Sequence, residues 1–217
     1  TALMYASMKG YLDLSECLLN YGAEINATDK HERTAFFYAC NNAHIKLARF
    51  LQERRADIYK MKKYKKTSFM EACFRGDVTI AECLLSLGTD IKEVCNEGNM
   101  TFYEACQKGH LAVAQLLLKQ AKGLDVNQTV KKSSDTFFNG SSPLFIATYM
   151  GHIDIVYELL SDKRTNVYLK TNDGHRAVDT VYIADREKLP RKKTLTDKQK
   201  ADLYRRLSPR GLVSCYI

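Results

Sequence analysis

No stretch of this 217-residue sequence is apolar over the ~18 residues that a membrane span needs, since the longest uncharged run, residues 136–153, is broken by Asn139, Gly140, Ser141, Ser142 and Pro143. A signal-peptide pattern is also lacking: the sequence opens at Thr1 without a methionine and reads as an excised piece of a longer chain. Its seven cysteines are an odd number and contain no C-x-x-C pair. They do not form the dense framework of a small secreted domain, and a reducing cytosolic or nuclear compartment is expected. There is no glycine-rich phosphate loop, no H-E-x-x-H, no G-x-S-x-G and no kinase motif set. A catalytic role, a catalytic residue and a cofactor are therefore not expected. With 45% apolar and 27% charged residues, the composition excludes a disordered chain and a coiled-coil or collagen-like fibre.

What is present is unevenly charged. Of the net charge of +8, residues 54–66 carry +6 (seven Lys/Arg, one acid) and residues 186–210 carry +7 (ten against three), which leaves about −5 for the rest. Two basic blocks on an acidic body point to local interaction surfaces more than to a uniformly basic coat.

The sequence also repeats. TALMYASMKGYLDLSECLL, TAFFYACNNAHIKLARFL and TSFMEACFRGDVTIAECLL align without gaps from Thr1, Thr34 and Thr67, a period of 33 residues. A fourth copy starts at Met100 and a fifth at Ser142, 42 residues later, so nine residues are inserted there. Counting each start as offset zero, offset two is Leu3, Phe36, Phe69, Phe102 and Leu144, and offset five is always alanine: Ala6, Ala39, Ala72, Ala105, Ala147. Steps of three describe one face of a short helix. A small residue interrupts at offset nine (Gly10, Ala43, Gly76, Gly109, Gly151), and apolar residues resume at offsets 11, 13 and 17. Each unit predicts helix, tight turn, helix, then a Gly- and Asx-rich connection. Units of about 33 residues cannot bury their apolar faces alone, so they must stack.

This pattern resembles the ankyrin repeat family over residues 1 to about 175. The resemblance implies an all-α, ankyrin-type solenoid of stacked helix-turn-helix repeats with projecting finger loops, and a concave face that binds other proteins. One domain spanning residues 1–217 is expected, with repeats starting near 1, 34, 67, 100 and 142, a degenerate capping repeat at 176–207 and a tail at 208–217. In the cap, Thr196 should cap a helix over Asp197–Leu207 whose Leu203, Tyr204 and Leu207 share one face. The family's T-P-L-H start survives poorly: proline remains only as Pro143, and the histidine position holds Met4, Phe37, Met70, Tyr103 and Phe145. A divergent member with a more apolar helix junction is implied. An exposed apolar end or a dimer contact is expected at the first repeat.

Cys40, Cys73 and Cys106 share a column where the family has small buried alanine. They are expected to be packing residues and not metal ligands. His44, His110 and His152 fall where the family has a histidine that links neighbouring repeats, whereas His31 and His175 fall on finger tips. In the same register Lys63, Tyr64 and Lys66 lie on the finger between the second and third copies, with Phe74 and Arg75 at the exposed end of the helix behind it. Met8, Lys9, Asn41, Asn42, Gln107, Lys108, Tyr149 and Met150 line the groove. Cationic and aromatic residues so placed suit an acidic or phosphorylated segment of a partner protein. The alternative is nucleic-acid or anionic-lipid binding through residues 54–66. The insertion within Lys119–Ser141 brings Phe137 and Phe138, which are expected either to pack on the groove or to sit in a solvated excursion.

Overall fold

The computed structural model describes residues 1–58, 68–88, 99–121, 123–130, 138–181 and 195–208, and the chain divides into two compact units, Thr1–Gly98 and Asn99–Ile217. Among the described residues all regular structure is helical, apart from one isolated antiparallel bridge between Lys170 and Arg176.

The described residues of unit 1 form three helix pairs: α1 (Ala2–Lys9) with α2 (Leu12–Asn20), α3 (Ala35–Asn41) with α4 (Ile45–Glu53), and α5 (Ser68–Arg75) with α6 (Val78–Ser86). The described residues of unit 2 form α7 (Asn99–Lys108) with α8 (Leu111–Gln120), α9 (Pro143–Met150) with α10 (Ile153–Ser161), and a helix α11 (Asp197–Leu207). Three of the first helices start at a capping hydroxyl. The side chains of Thr1, Thr34 and Ser142 accept hydrogen bonds from the N–H groups of Met4, Phe37 and Phe145 at 3.2–3.3 Å. This satisfies a donor that the helix itself leaves unpaired. Met100 has no such hydroxyl, and α7 begins at Asn99, ahead of the register.

The turn inside each pair is equally repetitive. The N–H at offset 10 donates to the alanine carbonyl at offset five in all five copies, at 2.9–3.0 Å. A bond of this kind closes a helix and reverses the chain within a few residues. The alanines themselves are buried, as are Leu3, Phe36, Phe69, Phe102 and Leu144, so the small column lets helices approach while the large one fills the space between them. Burying each large side chain contributes about 1.5–3 kcal/mol. In unit 1 α1 packs on α3 and α3 on α5; in unit 2 α7 packs on α9 and α8 on α10.

Helix α11 shows the expected cap. Thr196 and Gln199 bond each other's backbone reciprocally, and Leu203 and Leu207 are buried. Tyr157 of α10 donates its hydroxyl to Asp202 at 2.7 Å, and the Arg206 guanidinium lies 4.9 Å from the same tyrosine ring. The chain around the insertion is pinched at its base, where Val130 N–H donates to Ser141 at 3.1 Å and Gly140 N–H to Val130 at 2.7 Å. Phe137 and residues 209–217 lie outside the described residues.

Candidate functional site

The surface anticipated from the register consists of offsets seven and eight, the last turn of each first helix. In unit 1 these are Met8 and Lys9 on α1, Asn41 and Asn42 at the end of α3, and Phe74 and Arg75 on α5. Lys9, Asn42 and Arg75 are exposed, while Met8, Asn41 and Phe74 are half-buried. Because α1, α3 and α5 pack in succession, these residues occur in rows along one face of the unit.

The backbone beneath the rows carries hydrogen bonds from one repeat to the next. His44 Nε2 donates to the offset-seven carbonyl of Met8 at 3.1 Å, and in unit 2 His152 Nε2 donates to the offset-seven carbonyl of Gln107 at 3.0 Å. Both imidazoles lie directly over a glycine of the preceding turn. A Cβ on Gly10 would come within 2.5 Å of the His44 ring, and one on Gly109 equally close to that of His152. The third repeat has Asp77 where histidine would stand, and there Arg75 takes over. Its Nη1 donates to the offset-seven carbonyl of Asn41 at 3.2 Å and to the Asn41 side chain, and its Nε lies 3.5 Å from Asp77. Arg75 is therefore both an exposed cation and a staple between two repeats. Sequence spacing assigns it only the first of these roles.

Beside Arg75 a shallow depression opens between α3 and α5, with Phe37, Cys40, Ala72 and Ile80 in its lining and Glu71 and Asp77 among its polar groups. Cys40, Cys73 and Cys106 are all buried, as the alanine column requires. Burial pushes the thiols of Cys40 and Cys106 well up and that of Cys73 to about 12, so all three are held as packing thiols.

A residue that the groove assignment missed is Tyr5. It lies on α1 one turn before Lys9, is 57% exposed, and has the Lys9 ammonium 5.9 Å from its ring centre. Offset four was the available signal, since it lies on the same helical face as offset eight. In the second repeat the same offset is Tyr38, drawn instead into the finger. Its hydroxyl donates to Asp29 at 2.8 Å, and Asp29 also accepts from Arg33 Nε at 2.8 Å and from the N–H groups of His31 and Arg33. Burial acts to raise the Asp29 pKa, but these donors, Arg33 foremost, hold it well below the usual carboxylate range. His31 itself is exposed at this finger.

In unit 2 the groove positions behave differently. Lys108 and Met150 are half-buried, but Tyr149 is buried and not a groove-lining contact residue. The reason is the insertion: Phe138 meets the Tyr149 ring edge-on at 5.2 Å, so the aromatic surface is used within the unit. Lys63, Tyr64 and Lys66 lie outside the described residues, as do Cys95 and Cys215.

Comparison with known families settles the class. The family described as ankyrin repeats (3 copies) matches residues 1–62 and 69–173. The chain belongs to the ankyrin repeat family. An ankyrin repeat domain from Acinetobacter baumannii AYE, known from a crystal structure, superposes with a TM-score of 0.71 and 22% identity over 95% of each chain, a likeness of fold. A comparison with curated proteins returns no match. Ankyrin repeats are generally protein-protein interaction scaffolds, and the chain's repeat columns, histidine staples and finger contacts are the framework for such a surface. Asn26 accepts from Asp57 N–H at 2.8 Å, and Asn127 accepts from Asn166 N–H at 2.7 Å, tying each finger to the next within its unit.

Proposed function

We propose that this ankyrin repeat chain is a non-enzymatic scaffold that binds an acidic or phosphorylated segment of a partner protein across the first helices and fingers of unit 1. The observation that carries this reading is the exposed Tyr5 and Lys9 pair on α1, in the same face as Asn42 and Arg75. Tyrosine supplies rigid contact area at low entropic cost, and lysine and arginine supply charge for carboxylate or phosphate. On sequence grounds Lys63, Tyr64 and Lys66 of the basic block belong to the same surface, with Phe74 behind them, and Lys108 and Met150 to its counterpart in unit 2. The cysteine usage supports a cytosolic or nuclear compartment as part of this reading.

The test is an array of acidic, phosphorylated and neutral peptides, probed with the wild-type chain, a Tyr5→Ala/Lys9→Glu variant and a Lys63→Glu/Lys66→Glu variant. Lys9 is preferred to Arg75 for substitution because Arg75 also holds Asn41. Acidic or phosphorylated peptides should bind the wild type, and both variants should bind at least about tenfold more weakly while stability changes by less than about 0.5 kcal/mol, as for exposed sites. Equal binding by all three proteins would reject the surface. Binding of RNA or anionic vesicles in place of peptides, with a salt slope that falls by about one for each lysine removed, would establish the phosphate-backbone or lipid alternative.

A further inference from the structure

Offsets seven and eight hold Met8 and Lys9, Phe74 and Arg75, Gln107 and Lys108, and Tyr149 and Met150, and only the second repeat places two primary amides there, Asn41 and Asn42. Helix α3 packs on both α1 and α5, so the pair stands at the middle of the row in unit 1, with Tyr5 and Lys9 on one side and Arg75 on the other. Each amide has one end committed, and the partners fix which end. Asn42 Nδ2 donates to the Tyr38 carbonyl at 2.8 Å; a carbonyl only accepts, so the oxygen of Asn42 is the end left over. Arg75 Nη1 donates to the side-chain oxygen of Asn41; a guanidinium only donates, so there the NH2 group is left over. Asn42 is exposed, and Asn41 is half-buried in the lining of the shallow depression beside Arg75. Two adjacent residues thus offer one acceptor and one donor, each amide oriented by a bond inside the unit.

We propose that this pair reads the main chain of the partner segment: the Asn42 oxygen accepts from a peptide N–H, and the Asn41 NH2 donates to the carbonyl of the same peptide residue. In an extended strand the N–H and C=O of one residue point to the same edge, so a strand can meet both amides at once. A helix spends those groups on its own hydrogen bonds and cannot. The site rests on the peptide-binding surface proposed above, and gives the bound segment a conformation and a register. Packed helices lie about 8–10 Å apart and an extended chain rises about 3.3 Å per residue. The carboxylate or phosphate that faces Lys9 on α1 therefore falls about three residues from the residue held by the asparagines of α3.

The experiment is an N-methyl scan of the tightest acidic or phosphorylated peptide of the array, titrated against the wild-type chain, Asn42→Ala and Asn41→Asp. Each methyl group removes one backbone N–H. At one position, about three residues from the acidic group, methylation should weaken binding to the wild type about tenfold and add nothing to the weakened binding of Asn42→Ala, a coupling expected of groups in contact. Asn41→Asp keeps the oxygen that Arg75 holds and loses the donor, so it should weaken binding several-fold even at about 0.5 M salt, where charge repulsion is screened. Methylation tolerated at every position, an equal cost on both proteins, or a loss for Asn41→Asp seen only at low salt would overturn the proposal. Dependence on a glutamine or asparagine side chain of the peptide in place of its backbone would overturn it too. Failure of the surface itself has a different signature: the Tyr5→Ala/Lys9→Glu variant would then bind the same peptide unchanged. Should no acidic or phosphorylated peptide bind, both proposals fall together.

Discussion

At the residue scale the turn between paired helices shows how one atom decides which residue a position accepts. Gly10 and Gly109 combine a left-handed backbone (φ 75° and 81°) with an imidazole where a Cβ would be. Ala43 holds the same place in the second repeat with φ 59°, and the repeat that follows has Asp77 in place of histidine. Alanine fits the space there but keeps the strain of a left-handed Cβ. Ala43→Gly is expected to stabilise the protein by about 0.5–1 kcal/mol, after the greater unfolded-state freedom of glycine is set against the strain relieved. Chemical denaturation measures this, and a loss of stability would show that Ala43 is not strained. Asp29 offers a second test. Its folded-state pKa is depressed, so its contribution is full above the unfolded carboxylate value near 4 and is lost as pH falls through the folded one. Asp29→Asn should lower the melting temperature at pH 7, and the difference from wild type should shrink steadily below about pH 4. A difference that is constant with pH would assign the loss to geometry and not to charge.

At the element scale the helix pairs are held together by columns. Ala39 and Ala72 are buried between first helices in contact, so there is no room for a branched side chain. Ala39→Leu should cost about 1–3 kcal/mol through overpacking, read from the denaturation midpoint. A neutral outcome would mean that α3 can move away from its neighbours. These columns were legible in the sequence because burial repeats every 33 residues, and so was α11, since Thr196 and Leu203 carry the signals of a cap and an apolar face. The buried state of Tyr149 was not legible. It depends on Phe138, which reaches it from an insertion with no repeat register to read. Nor was the Arg75 staple, because the sequence shows that histidine is absent at Asp77 without showing which nearby side chain takes the vacant carbonyl.

At the scale of the whole molecule, two units built from one repeat present distinct surfaces from the same offsets. In unit 1 offsets four and eight leave Tyr5, Lys9, Asn42 and Arg75 in solvent, while in unit 2 the offset-eight residues Lys108 and Met150 are half-buried and the insertion covers Tyr149. Exposure at offset 13 likewise separates the first repeat from Leu47, Ile80 and Ile155. The fold was readable because stacking is a property of every copy. The site was readable only in part, because binding uses the positions where copies differ. The most direct measurement of the central proposal is hydrogen exchange of the full chain with and without a saturating acidic or phosphorylated peptide drawn from the array. Protection confined to the ends of α1, α3 and α5 and the fingers of unit 1, and absent in the Tyr5→Ala/Lys9→Glu variant, is the expected result. Protection of unit 2 or of the outer helices alone, with those ends unchanged, would contradict it.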